Sequence, residues 1–234
     1  MAHNYSSVKK DFVLLAMLLF ILCLIPESLY AWDMEKNRNG VQVYTRTPNW
    51  SKFKEFKGVT TINTSLNSIV ALLEDVKDFP AWYYNCKYAS YLKRISPVEG
   101  ITYSITRTPW PTQDRDCIVH YVRTQDPKTK TVMITLEGQW DYIGQKPGLV
   151  RIRELKGFWK LTPMKDNKVE VTLQVWLDPG GNIPAWLINA IIVDMPYHSL
   201  LNMHKAVLKP RYKNAVGLVD EWHPTDDPLN LKDL

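Results

Sequence analysis

"WLDPGGNIPAWLINAIIVDMP", residues 176–196, decides how the rest of the chain is read. After the Asp-Pro-Gly-Gly turn, ten of the eleven residues from Ile183 to Val193 are apolar. A helix lying on an ordinary core needs only one apolar stripe, so a half-helix that is apolar all round has to be walled in by protein or touch lipid. Eleven residues are also too few to cross a bilayer, which takes about 20. Pro196 has no amide proton to reach back to Ile192, which predicts a kink or hinge between this half and the second half of the helix. Beyond it, Tyr197, Leu200, Leu201, Val207 and Leu208 share one side, with Ser199, Asn202, Lys205 and Lys209 on the other. The expected closing helix runs from about Pro184 to Tyr212.

What that helix rests on is written between Cys86 and Asp178. Seven stretches there alternate with period two: "KYASYLKRI", "GITYSITR", "DCIVHYVRT", "TVMITLEGQW", "LVRIREL", "FWKLTPM" and "VEVTLQVWL". Gly100, Gly144, Gly148 and Gly157 with Pro97, Pro127 and Pro147 supply the turns and none interrupts an expected strand centre, the layout of an antiparallel meander. "GVQVYTR" at 40–46 and the stretch from Phe53 to Ile62 read as an opening hairpin. Thr64 or Ser65 caps a helix through "LNSIVALLEDV", where Leu66, Ile69, Val70 and Leu73 share a face. The predicted fold class is α+β, with about nine strands in one curved antiparallel sheet whose concave face is plugged by the C-terminal helix. No internal repeat or second domain is visible.

The N-terminus carries Lys9-Lys10, an uncharged run from Phe12 to Ile25, a break at Pro26 and a small residue, Ala31, before Trp32. That is the layout of a secretory signal peptide. Residues 1–31 are expected to be cleaved on export to the periplasm, the alternatives being secretion or an uncleaved anchor through residues 12–25. The domain then spans 32–213, followed by a polar tail, 214–234, packed loosely outside or disordered. Removing residues 1–31 leaves 203 residues, and the net charge stays +5 because two lysines leave with one Asp and one Glu. The basic excess forms no block, which speaks against nucleic acid and only weakly for an acidic surface such as lipid head groups. Cys86 and Cys117 remain in the processed chain and read as two separate buried thiols, although an oxidising exterior would let them pair.

Catalytic signatures are missing. The chain has no G-x-S-x-G elbow, G-x-G-x-x-G turn, P-loop or H-E-x-x-H helix, and no cofactor or metal is implied. His198 lies four residues after Asp194 on one side of the helix and is a candidate acid or base, as is a tyrosine of the cavity, against the simpler reading of a surface histidine. His198 and His204, six apart, sit on different faces and make a metal pair improbable. Arg151 and Arg153 share a strand face and point either to solvent or into the cavity, toward a lipid head group or an acid. Thr102, Ser104 and Thr106 form a line of candidate polar spots. Trp82, Trp140, Trp159 and Trp176 are explained by packing.

Five segments carry a more specific signal between Trp32 and Tyr212: "GVQVYTR", "FKGVTTI", "PWPTQDRD", "GLVRIRELKGFWKLTP" and "DPGGNIPAWLIN", in that order. In order and spacing they resemble the START family of lipid-transfer domains. The resemblance implies a helix-grip fold, a nine-stranded sheet around a long C-terminal helix, enclosing a tunnel for one hydrophobic molecule. It implies a lid made by the closing helix and the loop from Thr108 to Asp114. Carried onto this chain, Trp110 and Pro111 lie on the loop side of that lid, and Trp186, Leu187, Ala190, Ile191 and Met195 on the helix side. Thr102, Ser104 and His198 complete the candidate ligand-binding set, with Pro196 as hinge. Arg115 and Asp116 match a recurrent Arg-Asp pair of structural role. The buried acid and base of sterol-binding members are not matched, since Thr102 and Tyr121 stand near those places, which argues against a sterol. Cys117 stands where many relatives carry an aromatic and widens the pocket if it faces inward. The function so implied is non-catalytic binding of a single lipid, with its transfer as an extension, by a monomer in transient contact with a membrane surface. The alternatives are a cyclase- or hydrolase-like enzyme of the same fold using His198, and a solid-cored interaction module.

Overall fold

The computed structural model describes residues 31–181 and 183–223. The signal-peptide expectation, apart from Ala31, and the tail beyond His223 lie outside these residues. The chain opens with β1 (Asp33–Arg38), β2 (Val41–Arg46) and β3 (Glu55–Asn63). The turn from β1 to β2 is Asn39-Gly40, both with positive φ, as a two-residue hairpin that matches strand twist requires. In β2 and β3 the alternate residues Val41, Val43, Thr45, Phe56 and Ile62 are buried.

Helix α1 (Leu66–Glu74) comes next, capped by the Ser65 hydroxyl, which accepts from the Ser68 amide at 3.1 Å. Leu66, Ile69, Val70 and Leu73 are all buried beneath it. A 3-10 turn (Val76–Asp78) leads into the short helix α2 (Phe79–Trp82). Then come β4 (Cys86–Ser96), β5 (Glu99–Thr106), β6 (Arg115–Gln125), β7 (Val132–Gly138), the two-residue β8 (Val150–Arg151), β9 (Glu154–Met164) and β10 (Lys168–Asp178).

The sheet has ten strands in the order β1-β2-β3-β10-β9-β7-β6-β5-β4, and β8 pairs off this path, parallel to β6. Apart from β8, the strands from β4 to β10 follow one another as a meander, and the opening hairpin joins it through antiparallel pairing of β3 with β10. This is the helix-grip fold, with one strand more than the nine expected. The extra one is β1, whose sequence Asp-Met-Glu-Lys-Asn-Arg has no apolar alternation and is mostly exposed.

The closing helix is not continuous. It consists of α3 (Ala185–Ile191), α4 (Asp194–Ala206) and α5 (Pro210–Lys213). The break at Ile192–Val193 has the cause the sequence suggested: α3 ends with the Ile192 amide donating to Ile188, and Pro196 has no amide to offer the Ile192 carbonyl. At the third position of α4 this omission is cheap, because first-turn amides lack helical partners anyway.

Helix α4 crosses the opening strands. Lys36 Nζ reaches Asp194 at 3.0 Å, Asn39 Nδ2 donates to Tyr197 Oη at 2.9 Å, and Thr60 Oγ1 meets His204 Nε2 at 2.8 Å. Close approach is possible because β3 carries Gly58 at the crossing: a Cβ there would lie 2.7 Å from Leu200 Cδ1 and 3.1 Å from Pro196 Cβ. On the other flank, Ser199 Oγ accepts from the Tyr84 amide and Asn202 Nδ2 donates to the Trp82 carbonyl.

The tail is tied down as far as Glu221, against the expectation of loose packing. Glu221 takes the Leu66 and Asn67 amides at 3.0 and 2.8 Å, and buried Asn67 accepts from the Leu218 and Val219 amides. A carboxylate at a helix N-terminus both fills orphan donors and complements the helix dipole.

Candidate functional site

Between the concave face of the sheet and helix α3 lies a cavity of about 380 Å³. Its walls are set by strand alternation. On β6 the in-phase residues Arg115, Cys117, Val119, Tyr121 and Arg123 face it, and on β5 Thr102, Ser104 and Thr106 do so from the paired positions. Ile134, Leu136, Leu155, Trp159, Val175 and Leu177 continue the wall across β7, β9 and β10, and Ile188, Ile191, Ile192 and Met195 close it from the helices. An all-apolar helix start is explained by these two sides. Its inner side meets the cavity, and Ile183, Leu187, Ile188 and Ile191 form a second small cluster with Phe53.

Several sequence candidates therefore sit where expected and others do not. Thr102, Ser104, Ile191 and Met195 line the cavity. The side chains of Trp186 and Ala190 lie outside what is described. Leu187 packs against the Phe53 cluster instead of the cavity, because at the start of α3 it falls on the side facing the β2–β3 loop.

Trp110 and Pro111 are absent from the wall. Thr108 and Pro109 of the same loop contribute to the rim, while the Trp110 indole points outward and is 93% exposed. The loop is held by its own bonds: Thr108 Oγ1 donates to the Gln113 carbonyl at 2.6 Å, and Asp114 accepts from the Thr108 amide at 3.2 Å and from Lys87 Nζ at 3.1 Å.

His198 is not on the wall either. Its ring stacks on Tyr84 at 4.7 Å and meets Tyr197 edge-on at 5.0 Å, while Asp194 is held by Lys36. The Asp194–His198 acid/base pair considered from the spacing is not formed.

Arg151 faces neither solvent nor the cavity. Its guanidinium is fully engaged on the outer face of the sheet: Nε and Nη2 grip Asp116 bidentately at 2.9 and 2.8 Å, and Nη1 donates to the Trp140 and Ile143 carbonyls. Tyr103 Oη adds a third bond to Asp116 at 3.1 Å. Its hydroxyl pKa is pushed up to about 12 by burial, with the Asp116 charge acting the same way. Arg153 is exposed. The loop 139–149 thus covers a secondary core of Ile101, Tyr103 and Ile118 on the convex side. Trp140, expected to pack, is 55% exposed; it is the backbone carbonyl of that residue, not the ring, that is used.

The two cysteines are free and buried on different strands, with β5 between them. Burial pushes Cys117 up to about 12 and Cys86 up to about 11, so both are protonated at neutral pH and poor nucleophiles. Tyr83, on the wall beside them, has its hydroxyl raised above the ordinary range by burial.

Two arginines stand at the two ends of the β6 wall, eight residues or about 27 Å apart at strand spacing. Arg123 is satisfied, with Nε on Glu74 at 2.9 Å and Nη1 on the Leu218 carbonyl at 2.6 Å. Arg115 is not. It is 5% exposed, only its Nη1 is bonded, to the Gln113 carbonyl and Thr108 Oγ1, and its Nε has no partner among the described residues. Burial holds its pKa below the ordinary guanidinium value. The sequence marked Arg115 only as structural; alternation along β6 could not orient it, because both faces of that strand's first turns are buried.

With this geometry in hand, comparison with known proteins is decisive for the family. No family model matches the chain. A fragment of a STAR-related lipid transfer protein from Xanthomonas axonopodis superposes with a TM-score of 0.71 at 29% identity, over 76% of this chain and 99% of that one. The chain is a START-family protein. An uncharacterized Pseudomonas aeruginosa protein is 38% identical to this START domain over 178 residues, 76% of this chain and 87% of its own length. Human phosphatidylcholine transfer protein is 20% identical over 165 residues, 68% of this chain and 75% of its own length.

Proposed function

We propose that this START domain binds one hydrophobic lipid in the cavity between sheet and α3 and moves it between membranes without chemistry on it. The observation that carries this reading is an apolar-walled cavity of about 380 Å³ in a chain that resembles, in fold and in part of its sequence, proteins named for lipid transfer. The volume is within the range of pockets for small hydrophobic ligands, about 300–1,000 Å³. Burial supplies the affinity, at about 0.8 kcal/mol per methylene. His198 off the wall, Asp194 held by Lys36 and two protonated thiols support binding over catalysis.

Gating belongs to the same reading. Helix α3 forms one wall, and the Ile192–Val193 break lets it swing without disturbing α4, which is clamped to β1, β3 and α2. The protein meets a membrane through the end bearing the exposed Trp110, with Trp140 and Tyr142 on the neighbouring loop 139–149 and the exposed Arg107 at the foot of the Trp110 loop. These loops are joined at their bases by the Val150 amide on the Asp114 carbonyl. Exposed aromatics with nearby cations suit a lipid–water interface. Residues 1–31 act as the export signal, and the periplasm is the site of action, on the layout of the N-terminal segment.

Transfer of a fluorescent phospholipid from donor to acceptor vesicles by the full chain tests the reading. Transfer above the protein-free rate, slowed several-fold by Trp110→Ala with no change in melting temperature, is expected. No transfer and no lipid uptake would refute it.

A further inference from the structure

The polar groups of the cavity are unevenly satisfied, and the imbalance identifies the ligand's head. Among the charged residues on its wall, Glu74 and Arg123 pair with each other, and Asp194 pairs with Lys36. Arg115 and Arg107 have no ion pair among the described residues. The carboxylates on either side of Arg115 are both engaged: Asp114 is turned to Lys87 and the Thr108 amide, and Asp116 is on the opposite face of the strand, bonded to Arg151 and Tyr103.

A guanidinium at 5% exposure whose Nε lacks a partner among the described residues is only partly compensated for its desolvation, by the two Nη1 bonds and the neighbouring Asp114 charge. Nitrogens of this kind are satisfied by an oxyanion, which a guanidinium recognises through directed hydrogen bonds. Around it the wall offers hydroxyls: Thr106 lies directly across the β5–β6 register from Arg115, Ser104 is two residues on, and Tyr83 borders both thiols. None of these three hydroxyls has a hydrogen-bond partner among the described residues. The Arg123 end, by contrast, is closed by its own bonds to Glu74 and the tail.

Resting on the carrier reading above, we propose that the ligand is an acyl lipid with an anionic oxygen head, a phosphate or a carboxylate, seated on Arg115 beneath the 108–114 loop with its tail running toward Arg123. Entry is tail first, and the head stays near the rim where Trp110 meets the membrane.

The test uses the full chain stripped of lipid and two matched pairs: dioleoylphosphatidic acid against dioleoylglycerol, and oleic acid against methyl oleate, with inorganic phosphate as a fifth probe. In at least one pair the anionic member should bind about 10- to 100-fold more tightly, the worth of one charged hydrogen-bonded contact. Which pair shows it tells phosphate from carboxylate. Arg115→Gln should reduce the preference to less than about threefold while leaving the neutral member's affinity unchanged, and Arg115→Lys should keep part of it. Where Arg115→Gln does not fold, the NMR resonance of the Arg115 Nε–H decides, shifting with the anionic member and not with the neutral one. Equal binding within both pairs, a preference that survives Arg115→Gln, or an unmoved Nε–H resonance would overturn the proposal alone. Uptake of no lipid at all, with or without inorganic phosphate bound, would overturn the carrier reading as well.

Discussion

Replacing Cys117 by phenylalanine is expected to weaken lipid binding while stabilising the protein. The side chain faces the cavity from the middle of its wall, opposite Ser104. A phenyl ring in place of the thiol takes the room of about three lipid methylenes, and at about 0.8 kcal/mol each the loss is about 2.4 kcal/mol, roughly fiftyfold in Kd. The same ring fills empty space in the free protein, a change that contributes about 0.5–2 kcal/mol. At about 2–4 °C per kcal/mol for a domain of this size, Tm should rise by about 1–8 °C. Isothermal titration with a lipid that the wild type binds, alongside a melt of the lipid-free protein, reads both quantities. The opposite signs matter, because a variant that merely misfolds loses affinity and stability together. Unchanged affinity would mean that the lipid does not lie against Cys117, and a Tm lowered by several degrees would mean that the site is already packed.

Asp116→Ala should cost about 3–5 kcal/mol by leaving Arg151 buried without its carboxylate, a fall of about 6–20 °C in Tm; Asp116→Leu with Arg151→Met should recover most of it, and a single variant melting like wild type would remove the ion pair from the account. His204 has its pKa lowered from 6.5 by burial, and its Nε2 meets a Thr60 hydroxyl that itself donates to the Gly40 carbonyl. The unfolded chain therefore takes up the proton first: the contribution is complete above about pH 6.5 and is lost as pH falls below it. Melts between pH 7.5 and 5.5 should decline more steeply in the wild type than in His204→Gln, and parallel curves would contradict this. Pro196→Ala restores an amide that can bond Ile192 and join α3 to α4, so lipid exchange should slow several-fold with equilibrium affinity unchanged; equal exchange rates would dismiss the hinge.

Local signals made most of the fold legible. Period-two alternation marked the meander, the Ser65 cap marked α1, and Pro196 marked the break in the closing helix. What escaped depends on pairing across distance or on a missing pattern. Strand β1 has a single apolar residue, the exposed Met34, and is held by hairpin pairing with β2, with only its Asn39-Gly40 turn to announce it. Arg151 could be placed only by knowing that β8 runs parallel to the start of β6, which sets Asp116 beside it across 35 residues. A run apolar on every side has no phase, so the sequence could not say that Ile191 turns inward while Leu187 turns to Phe53. Trp110 was legible as a special residue in a stiff loop, but only the fold reveals that the indole points away from the cavity.

The central claim is that the space between α3 and the sheet is a seat for one lipid molecule. Native mass spectrometry of the full chain, released from membranes or medium without added lipid and then extracted with solvent, measures this directly. The account predicts one tightly held lipid per chain, removed by extraction and restored by incubation with vesicles. A chain that is lipid-free as isolated and stays so after incubation with every vesicle composition tried would contradict it.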